Sequence, residues 1–134
     1  QRLTPDREKV AQELEQLIEG YTHYVRAQNA YLETCEKIEE GATRWEQNDK
    51  QAAEAAFGEA IARTDIEIPE QAKAFSLYGE EASLSEFQEI LQKYQSGSKN
   101  MQNACERSGE GQRDSFNTGI ELVIDARGQM MELV

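Results

Sequence analysis

The single histidine and the many carboxylates are the residues of this chain that could carry metal chemistry. A di-metal carboxylate centre in a helical bundle needs a Glu-x-x-His motif on two helices, because its ligands must project together from facing helices. His23 follows Glu19 at a spacing of four rather than three, and the chain has no second histidine. We therefore predict no metal site and no cofactor, and we expect His23 to lie at the surface or at its boundary.

Paired carboxylates could also supply a general acid and a general base. Groups such as Glu36, Glu39 and Glu40, or Glu80 and Glu81, have that composition. With 26 acidic against 14 basic residues, however, such density is typical of a solvated face. The sequence contains no nucleophile-elbow, phosphate-binding or dinucleotide-binding glycine pattern and no EF-hand loop. We therefore predict that the protein is not an enzyme.

The two cysteines, Cys35 and Cys105, are too few for a zinc site. Cys35 and His23 do not form a nucleophile pair, because twelve residues of helix correspond to about 18 Å of rise. Adding up predicted helix lengths places Cys105 within about one turn of Cys35, with both side chains facing the core. The prediction is a disulfide if the protein is exported and two packed thiols if it stays in a reducing compartment.

Several polar residues occupy positions that are otherwise apolar, and they are candidates for a pocket. They are Gln28 and Ser98, with Tyr24, Tyr31 and Tyr94 nearby in sequence. One interpretation is a pocket for a small ligand between helices. The other is a buried, hydrogen-bonded polar layer that fixes the register of the helices, and we favour it.

A long first helix, from about residue 5 to 46, positions many of these side chains. Thr4 and Pro5 form a typical helix start, with threonine as the cap and proline in the first turn. From Val10 to Trp45 the large or apolar side chains recur at alternating spacings of four and three, which predicts a continuous seam along one helix face. Its members are Val10, Leu14, Leu17, Tyr21, Tyr24, Gln28, Tyr31, Cys35, Ile38, Ala42 and Trp45.

The rest of the chain is predicted to form three more helical segments. The second is expected to be broken, with helices at about 50–64 and 70–78, because the residue before Pro69 is disfavoured in the helical conformation. Further helices are expected at about 84–107 and 112–133. Short connections place sequential helices side by side, so the predicted fold is a single all-α domain, residues 1–134, built as an antiparallel four-helix bundle.

The alternative fold is a long coiled-coil dimer built on the first helix. Three tyrosines in the seam favour a globular core instead, since two-stranded coiled coils prefer Ile, Val and Leu at those positions.

Charge and hydropathy exclude several classes of partner. The formal net charge is -12 and the basic residues are dispersed, so we expect no binding to nucleic acid or to anionic membranes. No run of 18 apolar residues occurs, so we expect no direct membrane insertion. The chain begins without methionine, which suggests a processed piece; an extracytoplasmic location is slightly favoured over a cytoplasmic one.

The function expected from these features is a non-enzymatic interaction or scaffolding module, belonging to a membrane-anchored or exported protein. Residues 5–16 are predicted to project beyond the other helices, carrying Val10, Ala11 and Leu14 as an interface for a protein partner or for self-association. The alternative is an extracytoplasmic sensor-type bundle that binds a small ligand between its helices.

Overall fold

A computed structural model describes residues 4–78, 81–107 and 110–133. It contains the helices α1 (Pro5–Glu46), α2 (Lys50–Tyr78), α3 (Glu81–Glu106) and α4 (Glu110–Leu133). Each helix packs closely against the next along the chain. The predicted all-α four-helix bundle is confirmed, and the bounds of α1, α3 and α4 lie close to the predicted ones.

Side-chain caps define the starts of α1 and α2. The Arg7 backbone N–H donates to the Thr4 hydroxyl at 3.3 Å, which satisfies one of the free donors at the start of α1. At the turn, Asn48 adopts a positive φ of 61°, a conformation that asparagine tolerates better than most residues. The Ala52 N–H then donates to the Asp49 carboxylate at 3.2 Å, and α2 begins.

The predicted break at Pro69 is wrong, because α2 continues through this residue without interruption. A proline inside a helix removes one hydrogen bond and costs about 3 kcal/mol. Here Pro69 is exposed, so the carbonyl that loses its partner can bind water. Packing on both sides of Pro69 supports the continuous helix, since Glu67 and Gln71 are buried and Glu70 contacts His23 of α1.

Small residues form the contact between α1 and α2. Gly20, Ala27, Thr34 and Gly41 recur every seven residues on the buried face of α1. A Cβ atom added at Gly41 would lie 2.5 Å from the Phe57 ring, so glycine is required for this close approach. The facing surface of α2 is also rich in small side chains, which lets the two helices lie close together. The buried small residues in this part of α2 are Ala53, Ala56 and Ala60.

Aromatic rings and a glycine pair position the other helices. Trp45 of α1 stacks on Phe116 of α4, with ring centroids 4.4 Å apart, and Phe57 meets Phe116 edge-on. In α3 and α4, Gly97 and Gly119 face each other: a Cβ on Gly119 would lie 2.6 Å from the Gly97 carbonyl oxygen. The aromatic contacts of α1 and α2 with α4 therefore lie near the turn between α1 and α2.

Replacing Pro69 with alanine should stabilise the protein. The change restores a backbone N–H for the Asp65 carbonyl and removes the ring clash, while the gain in unfolded-state entropy offsets part of the benefit. We expect the free energy of unfolding to rise by about 2 kcal/mol in urea titrations. Pro5→Ala, at the first position of α1, is the control and should change stability by less than about 0.5 kcal/mol. A decrease for Pro69→Ala would show that the packing of α2 depends on the proline itself.

Candidate functional site

Tyrosines of α1 and α3 meet inside the bundle. The hydroxyl oxygens of Tyr31 and Tyr94 lie 2.9 Å apart in a hydrogen bond, and the two rings pack edge to face. The thiol of Cys35, one turn above Tyr31, borders both hydroxyls. We call Tyr31, Cys35, Tyr94 and the neighbouring Glu67 of α2 the buried polar layer.

The structure separates the other predicted pocket residues from this layer. The Gln28 amide donates to the Tyr24 hydroxyl at 2.7 Å, and both side chains are on the exposed side of α1. Ser98 is fully buried, but its hydroxyl donates to the Tyr94 carbonyl of its own helix. Of the five predicted residues, only Tyr31 and Tyr94 therefore hydrogen bond across helices.

Sequence reasoning missed Glu67, which is the most unusual residue of the layer. Its side chain is 0% exposed, and neither carboxyl oxygen has a hydrogen-bond partner among the described residues. One turn further along α2, Gln71 is 5% exposed and its side-chain oxygen also lacks a partner there. Burial raises the pKa of Glu67 to about 8, because a charged carboxylate is poorly solvated in the core. Glu67 is therefore mostly protonated at neutral pH.

The remaining ionisable groups of the layer are also held neutral. Burial raises the pKa of the Cys35 thiol and of the Tyr31 and Tyr94 hydroxyls above their ordinary values. Nucleophilic chemistry needs the thiolate, so Cys35 is in an unfavourable environment for it. The layer can donate and accept hydrogen bonds, and it carries little charge at pH 7.

The predicted proximity of Cys35 and Cys105 is wrong, and both thiols are free. Among the charged groups of α2, Cys35 lies near Glu67, whereas Cys105 lies near Lys50 and Glu54 at the start of that helix. Glu54 and Glu67 are separated by about 20 Å of helical rise, which is well beyond the roughly 7 Å limit for the Cα atoms of a disulfide. The sum of helix lengths failed because errors of a few residues at each turn accumulated.

His23 of α1 forms a contact with α2. Its Nδ1 contacts the Glu70 carboxylate of α2, and its Nε2 lies 4.0 Å from Glu19. The side chains of His23 and Glu70 are only 14% and 15% exposed, so the histidine is a boundary residue, as expected. In the described part of the chain, no group of three or more candidate ligands is suited to a metal ion.

The carboxylates Glu36, Glu39 and Glu40 line a shallow, open depression on the surface of α1. Glu36, Glu39 and Glu40 are exposed, and Glu40 forms an ion pair with Lys37 at 3.1 Å. Glu80 and the side chain of Glu81 lie outside the described residues.

A second feature lies on the outside of α1. Eight large side chains of its first two thirds are between 36% and 62% exposed, although their spacing is that of a buried seam. From Tyr31 upward, the same seam packs into the core. The exposed set, here called the α1 stripe, comprises Val10, Leu14, Leu17, Ile18, Tyr21, Tyr24, Val25 and Leu32.

The α1 stripe is uncovered because α2 occupies a different face of α1. The small residues of α1 face α2, and α1 meets α4 through Trp45 and Phe116 near the opposite end of the bundle. The predicted interface residues Val10 and Leu14 belong to the stripe, and Ala11 beside them is half-buried. Met131 of α4 is 70% exposed and gives the stripe no cover. The stripe continues to Leu32, well beyond the predicted interface.

No protein-family model, curated protein or solved structure matches this chain. Within the three described ranges, no helix has both the length and the apolar character needed to cross a membrane. Function is therefore inferred from the buried polar layer and the α1 stripe.

The burial of Glu67 predicts a pH-dependent stability. Its folded-state pKa of about 8 lies above the ordinary glutamate value, so the folded state holds a proton that the unfolded state releases. The contribution of this bound proton to the free energy of unfolding is complete below about pH 4, and it is lost progressively as the pH rises to about 8. Glu67→Gln should remove this loss, so that the variant is more stable than the wild type at pH 8.5.

Urea titrations between pH 5 and 8.5 measure this difference. The matched control is Glu89→Gln, an exposed position on α3. The charged and titratable groups around Glu67 are Tyr31 and Cys35 of α1, with Tyr94 and Arg127 bordering the layer from α3 and α4. Those groups are retained in both variants. An unchanged pH dependence in Glu67→Gln would contradict the assignment.

Proposed function

We propose that this protein is a non-enzymatic interaction module whose binding surface is the α1 stripe. Its occupant is the apolar face of another protein helix. The observation that carries the proposal is the exposure of eight large side chains in one line on a well-formed helix. Scattered exposed apolar residues are normal on protein surfaces, whereas a contiguous group marks a site of interaction.

The size of the stripe supports a protein partner. Large side chains have areas of about 150 to 250 Å². The exposed fractions along the stripe therefore amount to several hundred Å², which approaches the roughly 800 Å² that each partner contributes to a stable interface.

The shape of the stripe supports a helix as the docking element. Val10 and Leu32 are separated by about 33 Å of rise. The alternating spacings of three and four are those at which side chains of one helix insert between those of another. A helix of about six turns would cover the stripe from end to end.

The buried polar layer favours the alternative of a small-ligand sensor in one respect. Unpaired, buried carboxyl groups with raised pKa values are enriched at functional sites, and Glu67 with Gln71 fits that description. Tyr31 and Tyr94 nevertheless hydrogen bond directly to each other, so protein atoms already occupy the space between these two hydroxyl groups. The interaction module has the stronger support because its surface is already exposed.

Site-specific photo-crosslinking in the cells that make the protein tests the proposal. A benzophenone amino acid replaces Tyr21 in the stripe or, as the control, Ile124 on α4. These positions are matched, with 62% and 64% exposure. We expect covalent polypeptide adducts from position 21 in clear excess over position 124, because a docked helix holds the reactive ketone against its C–H bonds. Equal or absent adducts at position 21 would contradict the proposal.

A further inference from the structure

We infer that the helix that occupies the α1 stripe is the stripe of a second copy of this chain, packed antiparallel. This inference rests on the proposed function and names its partner. It is carried by the distribution of charge along α1, the symmetry of the stripe and the area that two stripes would bury.

Charge divides the stripe into two unlike halves. Residues 5–19 carry five acidic and two basic side chains, all exposed. Residues 20–32 carry no acidic side chain and include the exposed Arg26. His23, also in this range, is directed at Glu70 of its own chain.

The division of charge selects the antiparallel orientation. In a parallel pair, the acidic halves of two α1 helices would lie side by side and repel each other. In an antiparallel pair with its axis at residue 21, residues 5–19 lie beside residues 23–37, where Arg26 and Lys37 balance Glu33 and Glu36. Each acidic segment then lies against a segment without net charge, and the repulsion between two acidic segments is avoided. An isologous interface of this kind has two-fold symmetry and closes at two copies.

The apolar side chains fit the same orientation. The midpoint between Val10 and Leu32 is residue 21, so a two-fold axis at Tyr21 brings the ends of the stripe together. Val10 then lies opposite Leu32 of the second copy, and Leu17 lies opposite Val25. Both pairs consist of two apolar side chains. This orientation therefore places large apolar groups against each other along the stripe.

The area that two stripes would bury is close to that of a stable dimer interface. Two stripes of several hundred Å² together approach the total of about 1,200 to 2,000 Å² buried in stable interfaces. The structure leaves the contact open, since α2 packs on the small-residue face of α1. Burial of the stripe would also stabilise the first turns of α1, because a short amphipathic helix without a packing partner is only marginally stable in water.

Disulfide trapping in the full chain tests both the partner and its orientation. Leu17→Cys and Val25→Cys are prepared separately, mixed and exposed to a mild oxidant under native conditions. The antiparallel pair predicts several times more disulfide-linked dimer in the mixture than with either variant alone, because residues 17 and 25 face each other. Each single variant places its own thiols about 12 Å apart along the axis.

Two controls and two opposing results complete the test. The wild-type chain measures the disulfide-linked dimer that forms through Cys35 and Cys105 alone. The Ile124→Cys variant measures the linkage that results from random collision at a similarly exposed position. Efficient linkage of Leu17→Cys to itself would show a parallel pair. Absence of linked dimer, with a monomeric mass in sedimentation, would exclude the second copy.

The failures of the two proposals are distinguishable. If trapping fails while position 21 still crosslinks to a different protein, the stripe binds another partner and only the inference is overturned. If neither experiment gives a polypeptide adduct, both proposals are overturned.

Discussion

The close contact between α1 and α2 is the constraint on which the rest of this structure depends. Gly41 leaves the space that the Phe57 ring fills, and Ala27 and Thr34 continue the same narrow face along α1. A helix that uses its small side chains for its nearest neighbour must direct its large ones elsewhere. In the half of α1 nearer to α2's start, these side chains contact the aromatic rings of α3 and α4, whereas in the first part of α1 they remain at the surface.

The buried polar layer and the α1 stripe both follow from that division. The buried polar layer sets the height of α3 against α1 through the Tyr31–Tyr94 hydrogen bond, and it holds its ionisable groups neutral. Such a layer favours one register over others, at the energetic cost of burying Glu67. The α1 stripe is the external counterpart, because it contains the apolar side chains that the bundle does not cover.

Local signals in the sequence were sufficient to predict the helices and the bundle. Thr4, Pro5 and the regular apolar spacing predict α1 correctly, whereas Pro69 misleads because tertiary packing outweighs the local preference of the residue before it. The apolar spacing identified the residues of the stripe but not their exposure. Spacing shows which residues share one face of a helix, but it does not show which other helix packs against that face.

Glu67 was not predictable as a buried residue, because carboxylates are common throughout this acidic chain and its segment was interpreted as a break.

Hydrogen exchange as a function of protein concentration tests the central claim most directly. The claim is that residues 10–32 of α1 depend on a second copy for part of their burial. We predict that amide protection in this range increases with protein concentration, while protection of residues 53–60 in α2 stays constant. If residues 10–32 are equally protected at every concentration, α1 is stable without a second copy and the claim is contradicted.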